Sequence, residues 1–164
     1  MANIETIRKY ITFNEGKRNI VYNDSLGIPT IGVGFNLRRR DASSKIESFG
    51  LSYSDVLTGK VSLTDEQIDT LLDADIETAI NTIAKKLFPD FDTIDSDRQV
   101  ILVDLAFNMG YSRLSKFKNT IAAINSGNWE TAANELKDSI WYNQVGNRGV
   151  RNVETIKSGK LPDF

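Results

Sequence analysis

The amino-acid sequence predicts an α+β fold that is mostly helical and has one small antiparallel sheet near the N-terminus. Extended segments punctuated by turn residues cluster between residues 20 and 37, a long helical pattern runs from Thr64 to Leu87, and shorter helical patterns follow. A chain of 164 residues, 40% of them hydrophobic, suits a single domain. Within residues 1–164 we expect a sheet-containing lobe at about 14–62, a connecting helix at about 64–87, and a helical lobe at about 88–164 on which helix 4–14 packs.

The first predicted helix covers residues 4–14. Asn3 is a suitable N-cap residue, and Gly16 supplies a C-terminal stop. The apolar face of this helix is formed by Ile4, Ile7 and Ile11. Glu15 is therefore expected at the C-terminal end of the helix.

The predicted sheet is built from the segments IVYN, DSLGIP and TIGVGFNL. Asp24 and Gly27 occupy the first and fourth positions of a type I turn, and Pro29 stiffens its exit. After Arg40 the β pattern does not return, and Asp41 is a candidate cap for a short helix before the breaks at Gly50 and Gly59.

The clearest element is the helix from Thr64 to Leu87. Thr64 and Gln67 form a capping-box pair, and Pro89 ends the element. Its apolar residues are Ile68, Leu71, Leu72, Ile76, Ala79, Ile80, Ile83 and Leu87. Further helices are predicted at about 95–109, 115–126, 129–138 and 147–158, separated by turns at Gly110, Gly127 and Gly146.

The composition excludes several classes of chemistry. The chain contains no cysteine and no histidine, so disulfides, ordinary zinc sites and histidine-dependent triads are not possible. Net charge is −2, with eleven acidic and three basic residues concentrated between 61 and 104. The only dense basic run is Arg38 to Arg40, which is interpreted as a solvated loop, so no nucleic-acid partner is expected. Acid–base chemistry near neutral pH is left mainly to carboxylates.

Two carboxylates in different local environments are candidates for glycosidic-bond hydrolysis if the fold brings them together. That reaction uses one carboxyl group to protonate the leaving oxygen and a second to activate water or stabilise the cation. Glu15 ends a helix, whose C-terminal partial negative charge disfavours an ionised carboxylate by up to about 1 kcal/mol. Asp24 lies on a polar turn, and the Thr30 hydroxyl on the next strand is a candidate holder of the water. Taken singly, a glutamate at a helix end, such as Glu15, is usually a surface residue, and an aspartate in D-S-L-G, such as Asp24, is usually a turn former.

The string EGKRNIVYNDSLGIPTIGVG resembles the EG…Y.D..G..TIG.G signature of phage-type lysozymes, glycoside hydrolase family 24. The resemblance continues through LAFNMG, NWETAANEL and WYNQVGNRGVR in the expected order, over most of the chain. It implies a lysozyme-like two-lobed fold and a muramidase that cleaves bacterial peptidoglycan by inversion. It further implies that Glu15 is the general acid, that Asp24 acts on the attacking water, and that Thr30 positions this water.

The same resemblance implies substrate contacts. Phe107 matches the family directly, Thr120 replaces a serine, and Asn36 and Glu135 occupy matching positions with different residues. Trp141 is interpreted as a core aromatic residue. Arg148 is expected to reach Glu15 and to oppose the effect of the helix end on its pKa.

One departure from the family is Phe35, because many relatives have a histidine at this position. With Phe35 in its place, the stabilising ion pair of that histidine is not expected. No metal and no cofactor is implied. The first residues lack the apolar core of a secretory signal. We therefore expect a monomer without stable membrane association, made in the host bacterial cytoplasm, that reaches the wall after a separate protein permeabilises the membrane.

Three alternatives remain open from the sequence. A wall-binding module without turnover could keep the same fold, and a hydrolase of another amino-sugar polymer such as chitin would carry the same acids. An all-carboxylate calcium site is the third. Comparing product release from purified cell walls with product release from chitin separates the first two alternatives from a muramidase.

Overall fold

The computed structural model describes residues 3–164 and confirms a mostly helical α+β fold. The strands are β1 (Arg18–Asn23), β2 (Pro29–Gly32) and β3 (Phe35–Asn36). The helices are α1 (Ile4–Glu15), α2 (Ala42–Glu47), α3 (Tyr53–Leu57), α4 (Asp65–Thr78), α5 (Lys85–Leu87), α6 (Ser96–Leu114), α7 (Lys118–Asn125), α8 (Trp129–Lys137), α9 (Ile140–Val145) and α10 (Asn147–Ser158). Within residues 3–164, no helix has the length and apolar character needed to cross a bilayer.

The chain divides into two compact units. One is Ile11–Asp75, which contains the sheet, and the other joins the segment up to Tyr10 to Ile76–Phe164. Both boundaries fall inside helices, in α1 and in α4. Each unit has its own set of buried apolar side chains.

Helix α1 begins and ends where its capping residues predict. The Asn3 side chain accepts a hydrogen bond from the backbone N–H of Thr6 at 3.1 Å, which satisfies one of the donors that a helix N-terminus leaves unpaired. Gly16 ends the helix in a left-handed conformation, with φ +77°. Of the predicted apolar face, Ile7 and Ile11 are fully buried, whereas Ile4 is exposed.

The sheet is antiparallel, with the order β1-β2-β3. Tyr22 pairs with Thr30 across the first ladder, and Ile31 pairs with Phe35 across the second. The predicted turn between β1 and β2 is confirmed, because the backbone N–H of Gly27 donates to the carbonyl oxygen of Asp24 at 3.0 Å. Gly27 has φ +75°, which a residue without a side chain adopts readily.

The interpretation of Arg38 to Arg40 as a solvated loop is wrong for Arg39. Its guanidinium binds Asp75 through Nη1 at 2.8 Å and Asp41 through Nε at 2.6 Å. It also lies over the ring of Phe35, 4.4 Å from the ring centre. Phe35 therefore contributes a cation–π contact, and Arg39 supplies an ion pair in this part of the fold. Asp41 lies at the N-cap position of α2 but makes no side-chain capping bond.

This cluster makes stability depend on pH. The hydrogen bond from Arg39 holds the pKa of Asp41 below its usual range, against the opposing effect of partial burial. A carboxylate with a lowered pKa contributes stability above its unfolded pKa, and the contribution is lost as the pH falls through the folded pKa. We therefore expect Asp41→Asn to reduce the loss of thermal stability that wild type shows below roughly pH 4.

Melting temperatures at pH 7 and pH 3 measure this effect. Glu47→Gln is the matched control, since Glu47 is an exposed residue of α2 with no ion-pair partner among residues 3–164. If the melting temperature fell equally between pH 7 and pH 3 in wild type and in Asp41→Asn, the stabilising role assigned to the Asp41 carboxylate would be contradicted.

The long predicted helix begins as expected but is not uninterrupted. Thr64 and Gln67 exchange the two capping-box hydrogen bonds, at 3.0 and 3.2 Å. After α4 the backbone forms a π-helical segment over Ala79–Ala84 and returns to α-helix in α5. Within that segment Ala79, Ile80, Ile83 and Ala84 are buried.

The helices after Pro89 follow the predicted pattern with two differences. Gly127 and Gly146 have positive φ and separate helices as predicted, whereas Gly110 kinks α6, which continues to Leu114 and does not end at about residue 109. Helix α9 was not predicted. The Ser139 hydroxyl caps it by accepting the backbone N–H of Tyr142 at 3.2 Å.

Candidate active site

Glu15 is half-buried at the C-terminal end of α1. Its carboxyl group lies against Gly34, in the tight connection between β2 and β3. A Cβ atom at Gly34 would come within 2.9 Å of Glu15 Oε2 and 3.1 Å of its Cδ. Gly34 also has φ +65°, a conformation that favours glycine. Its missing side chain leaves room for the Glu15 carboxyl group.

Asp24 is held by the turn that it begins. One carboxylate oxygen, Oδ1, accepts the backbone N–H groups of Leu26 at 2.8 Å and Ile28 at 2.9 Å. These two bonds fix the orientation of the carboxylate without using its second oxygen. Asp24, which was predicted to form the turn, therefore also has a carboxylate that is held in one orientation.

Thr30 follows directly on β2 and is almost fully buried. Its hydroxyl donates to the carbonyl oxygen of Ile28 at 2.9 Å. Because the single proton of the hydroxyl is used in this bond, Thr30 Oγ1 can only accept further hydrogen bonds.

Tyr22 pairs with Thr30 across the sheet, and the sequence analysis missed it. Burial raises the pKa of its phenol, and the negative charges of Glu15 and Asp24 raise this pKa further, against the lowering effect of Arg18. The guanidinium of Arg18 covers the ring at 4.8 Å from its centre. The available signal was the Y of the signature EG…Y.D..G..TIG.G, which is Tyr22 in this sequence.

Arg148 belongs to a buried polar network that the sequence did not reveal. Its guanidinium donates two hydrogen bonds to Asp104, from Nε at 3.0 Å and from Nη2 at 2.7 Å. Asn152 donates a third hydrogen bond to this carboxylate at 2.9 Å and accepts one from the Tyr10 hydroxyl at 2.6 Å. Asp104 is fully buried, and only 8% of Arg148 is exposed. That Arg148 also reaches Glu15 stays a prediction.

The residues expected to contact substrate lie on four different elements. Asn36 on β3 is half-buried, and its side chain accepts the backbone N–H of Arg38 at 2.7 Å. Phe107 on α6 and Glu135 on α8 are also half-buried, whereas Thr120 on α7 is only 4% exposed. Their contacts with substrate stay predictions.

The aromatic residue assigned to the core is confirmed there. Trp141 is 1% exposed, and its indole N–H donates to the Asn108 side chain at 2.8 Å. Among residues 3–164, no group of three or more acidic side chains is arranged to hold a metal ion.

Comparison with known proteins gives matches along nearly the whole chain. Residues 12–155 match the family model described as phage lysozyme. Probable T4-type lysozyme 2 of Dictyostelium discoideum is 27% identical over 98% of this chain and 99% of its own length. Probable T4-type lysozyme 1 of the same organism is 26% identical over 96% and 97%. The pre-baseplate central spike protein Gp5 of Enterobacteria phage T4 is 31% identical over all of this chain, which spans 29% of that protein.

Proposed function

This chain belongs to the phage lysozyme family, and from that premise we propose that it hydrolyses the β-1,4 bond between N-acetylmuramic acid and N-acetylglucosamine. It is a glycoside hydrolase that acts on bacterial peptidoglycan. The observation that carries the finer proposal is that Glu15, which lies against Gly34 in the connection between β2 and β3, and Asp24, which begins the turn between β1 and β2, both belong to the Ile11–Asp75 unit. Most glycoside hydrolases use a pair of carboxyl groups.

In the proposed mechanism Glu15 is the general acid. It donates its proton to the glycosidic oxygen as the bond from that oxygen to the anomeric carbon breaks. A water oxygen bonds to the anomeric carbon from the opposite face and loses a proton to Asp24. Thr30 Oγ1, whose own proton is committed to Ile28, accepts a hydrogen bond from this water and orients it.

Water attack from the opposite face inverts the anomeric configuration. Inverting enzymes hold their two carboxyl groups roughly 6.5–9.5 Å apart, which leaves room for the water. Proton NMR of the digest, recorded before mutarotation, should therefore show the α-anomer first. Initial appearance of the β-anomer would overturn the single-displacement mechanism.

Gly34 is expected to position the acid. In Gly34→Ala the new methyl group must push the Glu15 carboxyl group out of place, because the two would otherwise be 2.9 Å apart. Misplacing a catalytic group by about 1 Å costs on the order of 10²-fold in rate. We expect kcat to fall by about that factor, with little change in KM, in an assay of muropeptide release.

Gly50→Ala is the matched control for backbone strain. Gly50 has φ +77°, like Gly34, but nothing lies within 4 Å of the position of its Cβ. Both variants should lose about 1–2 kcal/mol of stability, since a side chain disfavours the left-handed conformation. A Gly34→Ala variant with the kcat of Gly50→Ala would show that Gly34 does not position Glu15.

A further inference from the structure

A cavity of about 490 Å³ lies within the unit that contains Ile76–Phe164. Its walls come from the segment between α5 and α6, from the end of α7 with the turn after it, and from Trp129 at the start of α8. The residues assigned to catalysis do not line this cavity, and neither do those expected to contact substrate. Its volume lies in the range of ligand sites in proteins, so the cavity is a candidate for a second site.

Trp129 gives the cavity an aromatic wall that is held in place. The indole is half-buried, and the Arg98 guanidinium lies over it, 4.3 Å from the ring centre. Arg98 is itself fixed, because its Nε donates to the carbonyl oxygen of Ile156 at 2.8 Å and its Nη1 pairs with Asp95 at 3.1 Å. The indole N–H has no hydrogen-bond partner among residues 3–164, so it can donate to a ligand.

The polar groups of the cavity are mostly hydrogen-bond acceptors. The Asp90 carboxylate has no partner within the described part of the chain. The Asn125 amide donates to the carbonyl oxygen of Leu87 at 3.0 Å, and its own oxygen has no partner there. The Ser126 hydroxyl donates its proton to the carbonyl oxygen of Ala123, so it can only accept from a ligand. A ligand that fits the cavity must therefore bring hydrogen-bond donors.

We propose that this cavity binds an N-acetylated sugar of the glycan strand, an inference that rests on the proposed function for the identity of the ligand. The C–H face of a sugar ring packs on an aromatic ring such as Trp129, and its hydroxyls donate to the oxygens of Asp90 and Asn125. The acetamido oxygen accepts the indole N–H. The acetyl methyl group packs on Ile94 and Ile124, the apolar side chains that line the same cavity.

A cation is the other ligand that an acidic cavity with an aromatic wall could bind. Here the Trp129 ring already carries the Arg98 guanidinium, which also pairs with Asp95. A second cation at this ring would be repelled by the first. Among the lining residues, Asp90 is the one charged group without an ion-pair partner in residues 3–164. The charges therefore favour a neutral ligand rich in hydroxyl groups.

Tryptophan fluorescence tests the site directly. The chain has two tryptophans, and the other one, Trp141, is 1% exposed. The probe is soluble glycan from which an amidase has removed the peptide stems, and the parent protein is Glu15→Gln, which prevents turnover. We expect a saturable change in emission on titration with this glycan. The change should be lost in Glu15→Gln/Trp129→Phe, in which the ring against Arg98 is kept.

Removal of the free carboxylate provides the second measurement. Asp90→Ala in the Glu15→Gln parent should weaken the apparent affinity for the glycan at least fivefold. Glu130→Ala is the matched control, because Glu130 is exposed beside Trp129, has no ion-pair partner among residues 3–164 and does not line the cavity. It should bind as the parent does. Melting temperatures verify that all variants fold.

Three outcomes would overturn the inference. One is an emission change that persists in the Trp129→Phe variant, and another is equal affinity of the Asp90→Ala and Glu130→Ala variants. The third is a response to spermidine with none to glycan, which would show a cation site. Muropeptide release by wild type is measured separately. Its absence would refute the proposed function, whereas the titrations decide whether the cavity binds glycan.

Discussion

Glu15→Gln should lower the rate of peptidoglycan hydrolysis by about 10²–10⁴-fold, the contribution that a general acid makes to a reaction of this kind. Glutamine has nearly the size of glutamate, so it fits against Gly34 as the native side chain does. What it lacks is the proton that the leaving oxygen needs. We expect kcat to carry the loss, because the contacts that bind the glycan strand are unchanged. Release of muropeptides from purified walls measures it.

Glu5→Gln provides a control with the same chemical change in the same helix. Glu5 lies in the first turn of α1, and among residues 3–164 its ion-pair partner is exposed Lys9, at 3.1 Å. An exposed pair of this kind contributes little, so Glu5→Gln should keep wild-type activity and nearly wild-type stability. Retention of more than a tenth of wild-type kcat by Glu15→Gln would remove Glu15 from the role of acid.

The largest expected loss of stability follows from Asp104→Asn. Asp104 is fully buried and accepts two hydrogen bonds from Arg148 and one from Asn152. The substitution keeps the volume but removes the negative charge that accepts two hydrogen bonds from the buried Arg148 guanidinium. Breaking a buried ion pair in this way costs about 3–5 kcal/mol. Urea unfolding should show a lower midpoint with an unchanged slope.

Asp138→Asn is the matched surface control. Asp138 is exposed after α8 and has no ion-pair partner among residues 3–164. Surface substitutions of this type change stability by no more than about 0.5 kcal/mol. A loss below about 1 kcal/mol in Asp104→Asn would contradict the role of the Arg148 pair as a buried, tightly coupled interaction.

Features of the fold that depend on a few adjacent residues could be predicted from the sequence. The Asn3 cap, the turn at Asp24 and the Thr64–Gln67 capping box all close hydrogen bonds within four residues. Their side chains favour one local backbone conformation, whatever the surrounding tertiary structure. Glycine breaks are predictable for the same reason, since positive φ is a local property.

Features that depend on distant contacts could not be predicted. The π-helical segment at Ala79–Ala84 leaves the helical spacing of apolar residues nearly unchanged, so the sequence pattern does not distinguish it from α-helix. Arg39 resembles its neighbours Arg38 and Arg40 until the fold brings Asp75 to it. The ion-pair partner is set by tertiary packing, which a charge count along the chain does not contain.

The same division applies to the candidate site. Glu15 and Asp24 were found from their places at a helix end and a turn, together with the family signature. Gly34 and Tyr22 were missed because their importance depends on which side chains the sheet brings beside them. The buried Arg148–Asp104 pair was missed for a similar reason, since it joins α6 to α10.

The central claim is that Glu15 and Asp24 hydrolyse the bond after N-acetylmuramic acid with water as the acceptor. Mass spectrometry of digested peptidoglycan tests this claim most directly, because it identifies the newly formed chain end. We predict muropeptides that end in reducing N-acetylmuramic acid. A 1,6-anhydro end would show a lytic transglycosylase, and a reducing N-acetylglucosamine end would show cleavage of the other bond; either result would contradict the account.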